Sequence, residues 1–129
     1  MIVTFEVPLL PPSVNHYLCQ GKTRQGSPIR FRTSEAKAYI EAVCICSGKT
    51  PATGGDFYEI GLVYYIERAK FLRVDENNFD KVAIDALQTA GVITDDRYVI
   101  GRSTRKRICE TMRDQKTIYT VKAISAEEI

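Results

Sequence analysis

At 129 residues the chain is long enough for one domain with a single hydrophobic core. Its hydrophobic fraction of 44%, charged fraction of 26% and net charge of +2 are those of an ordinary soluble globular protein. Its longest apolar runs, such as IGLVYYI, are far too short to span a bilayer, and MIVTFEVPLL lacks the positive start of a secretory signal.

Four cysteines and one histidine, His16, argue against a structural zinc site. Cys44 and Cys46 are separated by one residue, which is neither a redox CxxC spacing nor a zinc-knuckle spacing. We expect the cysteines to be reduced thiols that fill space in the core.

The first part of the chain predicts a strand, a long loop and a helix. Residues 2–7 alternate between apolar and polar side chains, as a strand does, and the prolines of PLLPP end it. Residues 12–33 are rich in Gly, Pro and polar groups and predict a long loop with room for a short hairpin. Ser34 is a good N-cap for a helix that ends near residues 47–48.

The middle of the chain predicts a central strand and a second helix. Residues 57–67 are apolar on both faces and rich in aromatic and β-branched side chains, which is typical of a central strand. Asn77 or Asn78 can cap a helix that runs to Ala90, and Gly91 stops it.

Two further strands, at 98–109 and 116–124, complete the predicted order of β, loop, α, β, α, β, β. This order predicts an α+β fold for residues 1–129 as a single domain. We expect a mixed or antiparallel sheet with two helices packed on one face.

Charge is distributed unevenly along the chain. The stretch RYVIGRSTRKR at 97–107 holds five basic residues and no acid, and a second basic stretch lies at 22–37. Between them, residues 73–96 gather six acidic residues. This pattern suggests a polyanion partner beside a metal site, and two solvated faces of opposite sign are the alternative.

The acids of residues 73–96 lie at the two ends of the predicted second helix. Asp75 precedes the helix and Asp95 and Asp96 follow it, so neighbouring strands must bring the ends together. Clustered carboxylates repel one another unless a cation compensates, and hard oxygen ligands suit Mg²⁺. Lys81 could neutralise part of this charge or contact a phosphate under attack. Alternatively, the acids cap the helix and lie in a solvated turn.

The chain resembles the RusA family of Holliday-junction resolvases, whose pattern runs approximately R-x-D-x-D-N-x-x-K-x-x-x-D-A-L-x-x-x-G-x-x-x-D-D. The matching positions in this sequence are Arg73, Asp75, Asn77, Asn78, Lys81, Asp85, Ala86, Leu87, Gly91, Asp95 and Asp96. The segment PPSVNHY at 11–17 also looks like the family's opening loop, and Ser34, Ala36 and Tyr39 match its first helix.

The resemblance implies a RusA-like metal-dependent endodeoxyribonuclease. It carries the metal-binding aspartates onto Asp75 and Asp96, the catalytic lysine onto Lys81, and places Asp95 beside the second ligand. Asn77 lies where the family usually has its middle aspartate; its amide oxygen can bind a metal but brings no charge, which predicts weaker binding. The implied cofactor is Mg²⁺, with Mn²⁺ as a possible substitute and no small-molecule cofactor.

The resemblance also implies a homodimer that nicks two opposed strands of a four-way DNA junction, in recombination and repair. Such a protein would work in the cytoplasm, beside the nucleoid, encoded by a bacterium or phage, with no membrane partner. The candidate DNA contacts are Asn15, Arg32, Arg73, Arg102, Arg105, Lys106 and Arg107. Because side chains alternate along a strand, residues 105–107 cannot all face the same DNA.

Two alternatives to an active nuclease stay open. Asn77 would suit a junction-binding protein that has lost catalysis, and an unrelated interaction module would use its acids only for capping and solvation. A narrower question concerns Phe71 and Leu72, which either wedge between bases at the crossover or close the core at the sheet edge.

Overall fold

Six strands and two α-helices make up the described part of this computed structural model, which is residues 1–129 apart from the side chain of His16. In chain order they are β1 (Ile2–Val7), β2 (Leu18–Lys22), β3 (Pro28–Arg32), α1 (Ser34–Ser47), β4 (Phe57–Glu67), α2 (Asn77–Thr89), β5 (Val99–Cys109) and β6 (Lys116–Ile124). Single 3-10 turns lie at Val14–His16, Asp96–Tyr98, Met112–Asp114 and Ala126–Glu128.

The main sheet has four strands in the order β1-β6-β4-β5. Strand β6 pairs antiparallel with both β1 and β4, whereas β4 and β5 are parallel. Parallel neighbours need a long crossover, and here α2 provides it. The remaining strands, β2 and β3, form a separate antiparallel hairpin inside the segment predicted as a loop. The predicted α+β fold with a mixed sheet is confirmed.

Both helices pack on the same face of this sheet, as predicted. Tyr39 from α1 lies 2.7 Å, hydroxyl to hydroxyl, from Tyr119 of β6, and Tyr119 donates to the carbonyl of Ala83 in α2 at 3.1 Å. Burial raises the pKa of both tyrosines well above the ordinary range, so their hydroxyls stay protonated and can donate. One chain of hydrogen bonds thus joins α1, the sheet and α2.

Helix α1 begins at Ser34 as predicted, but Ser34 is its first helical residue and not its N-cap. Its N-cap is Thr33, not Ser34, because Thr33 has extended backbone and its hydroxyl accepts the N–H of Ala36 at 3.2 Å. The helix ends as predicted at Gly48, whose φ of +63° lies in the left-handed region that glycine adopts without strain.

Helix α2 is capped by a carboxylate rather than by an amide. Asp75 accepts the backbone N–H of Asn77 on Oδ1 at 3.0 Å, so neither Asn77 nor Asn78 has the predicted capping role. Asp75 lies two residues before Asn77, the first helical residue, so its carboxylate satisfies a free N–H of the first turn and interacts favourably with the positive end of the helix dipole. Gly91, with φ of +78°, follows the last turn as predicted.

The expectation that the cysteines fill space in the core holds for only some of them, since Cys44 and Cys46 pack against the core but Cys19 lies in the β2–β3 hairpin. All four cysteines are free, with Cys109 buried and the others half-buried. Across the described residues, no helix is long and apolar enough to cross a membrane.

Candidate functional site

An open cleft of about 530 Å³ lies between α2 and the first half of β5. Its walls are formed by Asn77, Lys81, Ile84, Asp96, Val99, Ile100, Gly101 and Arg102. Helical spacing of three and four residues places Asn77, Lys81 and Ile84 on one side of α2, facing β5. The cleft therefore gathers polar groups from both ends of the acidic stretch and from the basic strand.

Asp96 reaches this cleft because the chain folds back directly after α2. Its backbone N–H donates to Oε1 of Gln88, in the last turn of the helix, at 3.0 Å. The 3-10 turn Asp96–Tyr98 then leads into β5, while the carboxylate of Asp96 stays exposed. The two ends of the acidic stretch meet through Asn77 and Asp96.

Asp75 and Asp95 have local structural partners instead. Asp75 caps α2 and is not part of the cleft wall. Asp95 accepts the N–H of Arg97 at 3.1 Å and lines a different cleft. This backbone hydrogen bond lowers the pKa of Asp95, so its carboxylate is ionised at neutral pH. These contacts match the alternative interpretation of the sequence, in which the acids cap the helix and lie in a solvated turn.

The donor set of the cleft fits a hydrated magnesium ion but not a closed metal cage. Among the described side chains, no group of three or more His, Cys, Asp and Glu residues is arranged to hold a metal. Asp96 offers one carboxylate and Asn77 one amide oxygen, both hard donors. Mg²⁺ commonly keeps several waters and uses one or two protein carboxylates together with substrate phosphate. With a single anionic donor, affinity without substrate should be low.

Two cations complete the electrostatics of the cleft. Lys81 from α2 and Arg102 from β5 both line it and both are exposed. Against the single carboxylate of Asp96 they leave one positive charge in excess, which favours a phosphate group.

The basic residues of β5 point to two different faces. Register with β4 places Arg102 and Lys106 on the helix-covered face, and Arg105 and Arg107 on the opposite face. The expectation that residues 105–107 cannot all face one DNA is confirmed. Of these four side chains, only Arg102 belongs to the cleft wall.

Lys106 is engaged inside the chain. Its Nζ donates to the carbonyls of Phe71 and Val74 at 2.9 and 2.8 Å and lies 4.8 Å from the Phe71 ring centroid. Phe71 is half-buried against the core, whereas Leu72 is 90% exposed. Phe71 therefore fits the alternative in which these residues close the core at the sheet edge. Leu72 does not, because its side chain is exposed in the loop before α2.

Arg32 is likewise engaged, in a network that ties the hairpin to α2. It donates to the Tyr17 hydroxyl at 3.0 Å and to Asp85 at 3.1 Å, and the Tyr17 hydroxyl also donates to Asp85. Partial burial, and then the nearby charge of Asp96, raise the pKa of Asp85. No sequence pattern predicted that these residues would pair, although Tyr17 and Asp85 both lie in the quoted motifs.

The other two candidate DNA contacts lie outside the cleft. Arg73 donates to the carbonyl of Ala69 at 3.0 Å within the loop before α2. Asn15 is exposed in the 3-10 turn Val14–His16.

Asp80 is the group that the sequence analysis missed. It is 2% exposed, and its two oxygens accept the hydroxyls of Tyr64 at 2.6 Å and Thr104 at 2.8 Å. The available signal was an acid between Phe79 and Val82 on the apolar side of α2. Asp80 fixes α2 to β4 and β5, next to the cleft.

Neither a scan against protein-family models nor a search of curated proteins finds a match to this chain. The cleft and the sequence motif are therefore the two features of this chain that bear on its function.

Proposed function

We propose that the chain is a metal-dependent endonuclease that cuts four-way DNA junctions, as its resemblance to the RusA family implies. It would act in the cytoplasm, beside the nucleoid, as a homodimer. The observation that carries the proposal is the convergence of Asn77, Lys81 and Asp96 with Arg102 in one cleft. They come from two segments of the chain, α2 and the stretch from Asp96 into β5, and three of them belong to the motif of the resemblance.

The cleft supplies groups suited to phosphodiester hydrolysis. Asp96 and Asn77 would hold Mg²⁺ through their oxygen atoms, and the ion would supply Lewis-acid polarisation of the phosphate and of water. Lys81 would stabilise the negative charge that develops on the phosphate oxygens. Arg102 would hold the incoming backbone by charge-assisted hydrogen bonds, which set affinity and salt dependence rather than sequence preference.

A junction-binding protein without cleavage is the second candidate. The observation in its favour is that Asp96 is the one carboxylate among the residues of the cleft wall, because Asn77 is neutral and Asp75 is occupied as a cap. Such a protein would retain structure-selective, salt-sensitive binding.

The test of the nuclease uses a labelled four-way junction with Mg²⁺ or Mn²⁺, read on a denaturing gel. We expect metal-dependent nicks that Asp96→Asn abolishes and Lys81→Ala reduces by at least about a hundredfold, typical of losing a transition-state contact. Asp56→Asn is the matched control, since Asp56 is exposed and lines a different cleft. Absence of cleavage with either metal by a well-folded protein would reject the nuclease.

The second candidate predicts branched-DNA binding without nicking and a gain of cleavage in Asn77→Asp. If that variant binds junctions but does not cut them, Asn77 is not the cause of lost activity. Equal affinity for branched and linear duplexes in a gel shift would instead support the unrelated interaction module.

A further inference from the structure

The buried carboxylate of Asp80 has no counter-ion. Among the described residues it forms no ion pair, and its two hydrogen-bond donors are uncharged hydroxyls. Neutral donors offset the cost of desolvating a charge only in part, and apolar side chains of similar volume are often at least as stable in such a place. What the carboxylate adds to the fold is direction, because it fixes two partners at set positions.

The hydrogen bond between Asp80 and Thr104 lies at the inner end of the cleft. Thr104 Oγ1 donates to Oδ2 of Asp80 at 2.8 Å, and among the described residues this is the one hydrogen bond that joins α2 to β5. On β5 the wall of the cleft stops at Arg102, two residues before Thr104. The two walls of the cleft therefore come together where Asp80 meets Thr104.

Arg102 and Thr104 share the side of β5 that the helices cover. Register with β4 places them opposite Ile60 and Leu62, which are both buried in the core. Alternate residues of a strand lie about 7 Å apart on the same face. A hydrogen bond that fixes Thr104 thus also fixes the backbone from which the side chain of Arg102 projects.

The other wall of the cleft is held by the same carboxylate. Helical spacing of three and four residues puts Asp80 one turn from both Asn77 and Ile84, which line the cleft. Lys81, which also lines it, follows Asp80 directly along α2. Asp80 therefore couples the helix backbone that carries Lys81 to the strand that carries Arg102.

The charge of Arg102 reaches the hydrogen bonds of Asp80. Burial raises the pKa of Tyr64, and the hydrogen bond to Asp80 and the charge of Asp80 raise it further, whereas the positive charge of Arg102 lowers it. Opposite charges at this range attract, so the buried carboxylate draws the guanidinium of Arg102 toward the inner end of the cleft.

We propose that Asp80 is a positioning residue, which acts through Thr104 to hold Arg102 and Lys81 at the separation at which both contact one phosphate group of DNA. The proposal rests on the proposed function, because it takes a DNA phosphate as the ligand of the cleft, but it concerns binding and needs no cleavage. Asp80 itself is buried and touches no substrate.

Thr104→Val isolates this contact. The change removes the hydroxyl donor, keeps the shape of the side chain and alters no charge. Thr104 is only half-buried, on the edge strand of the sheet, so the variant should still fold.

Fluorescence anisotropy of a labelled four-way junction and a labelled linear duplex, without divalent metal and over a series of salt concentrations, measures the affinity. We expect Thr104→Val to weaken binding of both DNAs at least about fivefold, the size of coupling found between neighbouring groups. The slope of log K against log salt should become shallower by up to about 0.9, which corresponds to one phosphate contact. Because the variant changes no charge, a shallower slope indicates that a cation has left the phosphate.

A double-mutant cycle assigns the effect to Arg102. In the Arg102→Ala background, Thr104→Val should weaken binding less than about twofold, because the contact that it positions is already gone. Thr104→Ser keeps the hydroxyl and should bind as the wild type does. Val43→Ala, a fully buried change on α1, is the control for lost stability, and Thr50→Val, an exposed change after α1, is the control for the substitution itself.

Equal weakening by Thr104→Val with and without Arg102, an unchanged salt slope, or a comparable loss of affinity in Val43→Ala would overturn the positioning role. So would a wild type that binds neither DNA. Failure of the proposed function gives different results. Absence of cleavage leaves the cycle measurable on both DNAs, and equal affinity for branched and linear DNA leaves it measurable on the duplex.

Discussion

Replacing Asp80 by alanine probes the contact that fixes α2 beside the cleft. The carboxylate is 2% exposed and accepts two hydroxyls, from Tyr64 and Thr104. The change removes both charge-assisted hydrogen bonds and leaves the Tyr64 hydroxyl without its acceptor in a fully buried position. Burial alone already raises the pKa of Tyr64, so in the variant this hydroxyl cannot escape the cost by ionising.

The magnitude follows from two opposing effects. Hydrogen bonds to a charged group contribute about 1.5–3 kcal/mol each, and an orphaned buried hydroxyl costs about 1–3 kcal/mol. Part of this loss of stability is offset, because alanine has no charge that must be desolvated on folding. We therefore expect Asp80→Ala to lower the free energy of unfolding by about 2–4 kcal/mol.

Urea unfolding followed by far-UV circular dichroism measures this loss, since the chain has no tryptophan to report by fluorescence. Adding Tyr64→Phe to Asp80→Ala should recover about 1–3 kcal/mol relative to additivity, because the orphaned hydroxyl is gone. Tyr65→Phe, the next residue on the opposite face of β4, should add to Asp80→Ala without coupling. A loss below about 1 kcal/mol, or additivity with Tyr64→Phe, would refute the reasoning.

Three further predictions concern the loop and cap before α2. Asp75→Asn should keep the cap and stay within about 0.5 kcal/mol of wild type, whereas Asp75→Ala should lose about 1 kcal/mol; equal losses in urea would contradict capping. Lys106→Ala should cost about 1–2 kcal/mol and speed amide exchange at Val74, because two carbonyls lose their donor; no faster exchange than in the control Arg105→Ala would argue against this role. Phe71→Ala should cost about 1–3 kcal/mol, but Leu72→Ser less than about 0.5 kcal/mol; the reverse order would show that the two exposures are misassigned.

The sequence predicted the fold correctly where the pattern of apolar residues agreed with the residues that end an element. Alternation in residues 2–7 located β1, the aromatic and β-branched run at 57–67 located β4, and Gly48 and Gly91 ended the two helices. The N-cap of α1 was predicted one residue too late. Thr33 and Ser34 have similar side chains, so only the backbone geometry distinguishes which of them caps the helix. No pattern along the chain indicated that β6 would lie between β1 and β4.

The candidate site was predicted less completely than the fold. The motif located Asn77, Lys81 and Asp96, which share a cleft, but also Asp75 and Asp95, whose carboxylates bond to nearby backbone N–H groups instead. Such local hydrogen bonds compete with any distant ligand, and charge pattern cannot rank them. The buried environment of Asp80 could not be predicted either, because its partners Tyr64 and Thr104 lie on two strands, β4 and β5, that are distant from α2 in the sequence pattern.

The strand order has a consequence for how the chain is made. Strand β6 is the last strand synthesised, yet it lies between β1 and β4, so the sheet cannot close until residues 116–124 have left the ribosome. Until then β1 and β4 each present an unpaired edge, and their pairing with β6 spans long sequence separations, which slows folding. Truncation within β6 would therefore leave β1 without its partner and expose both strands to aggregation.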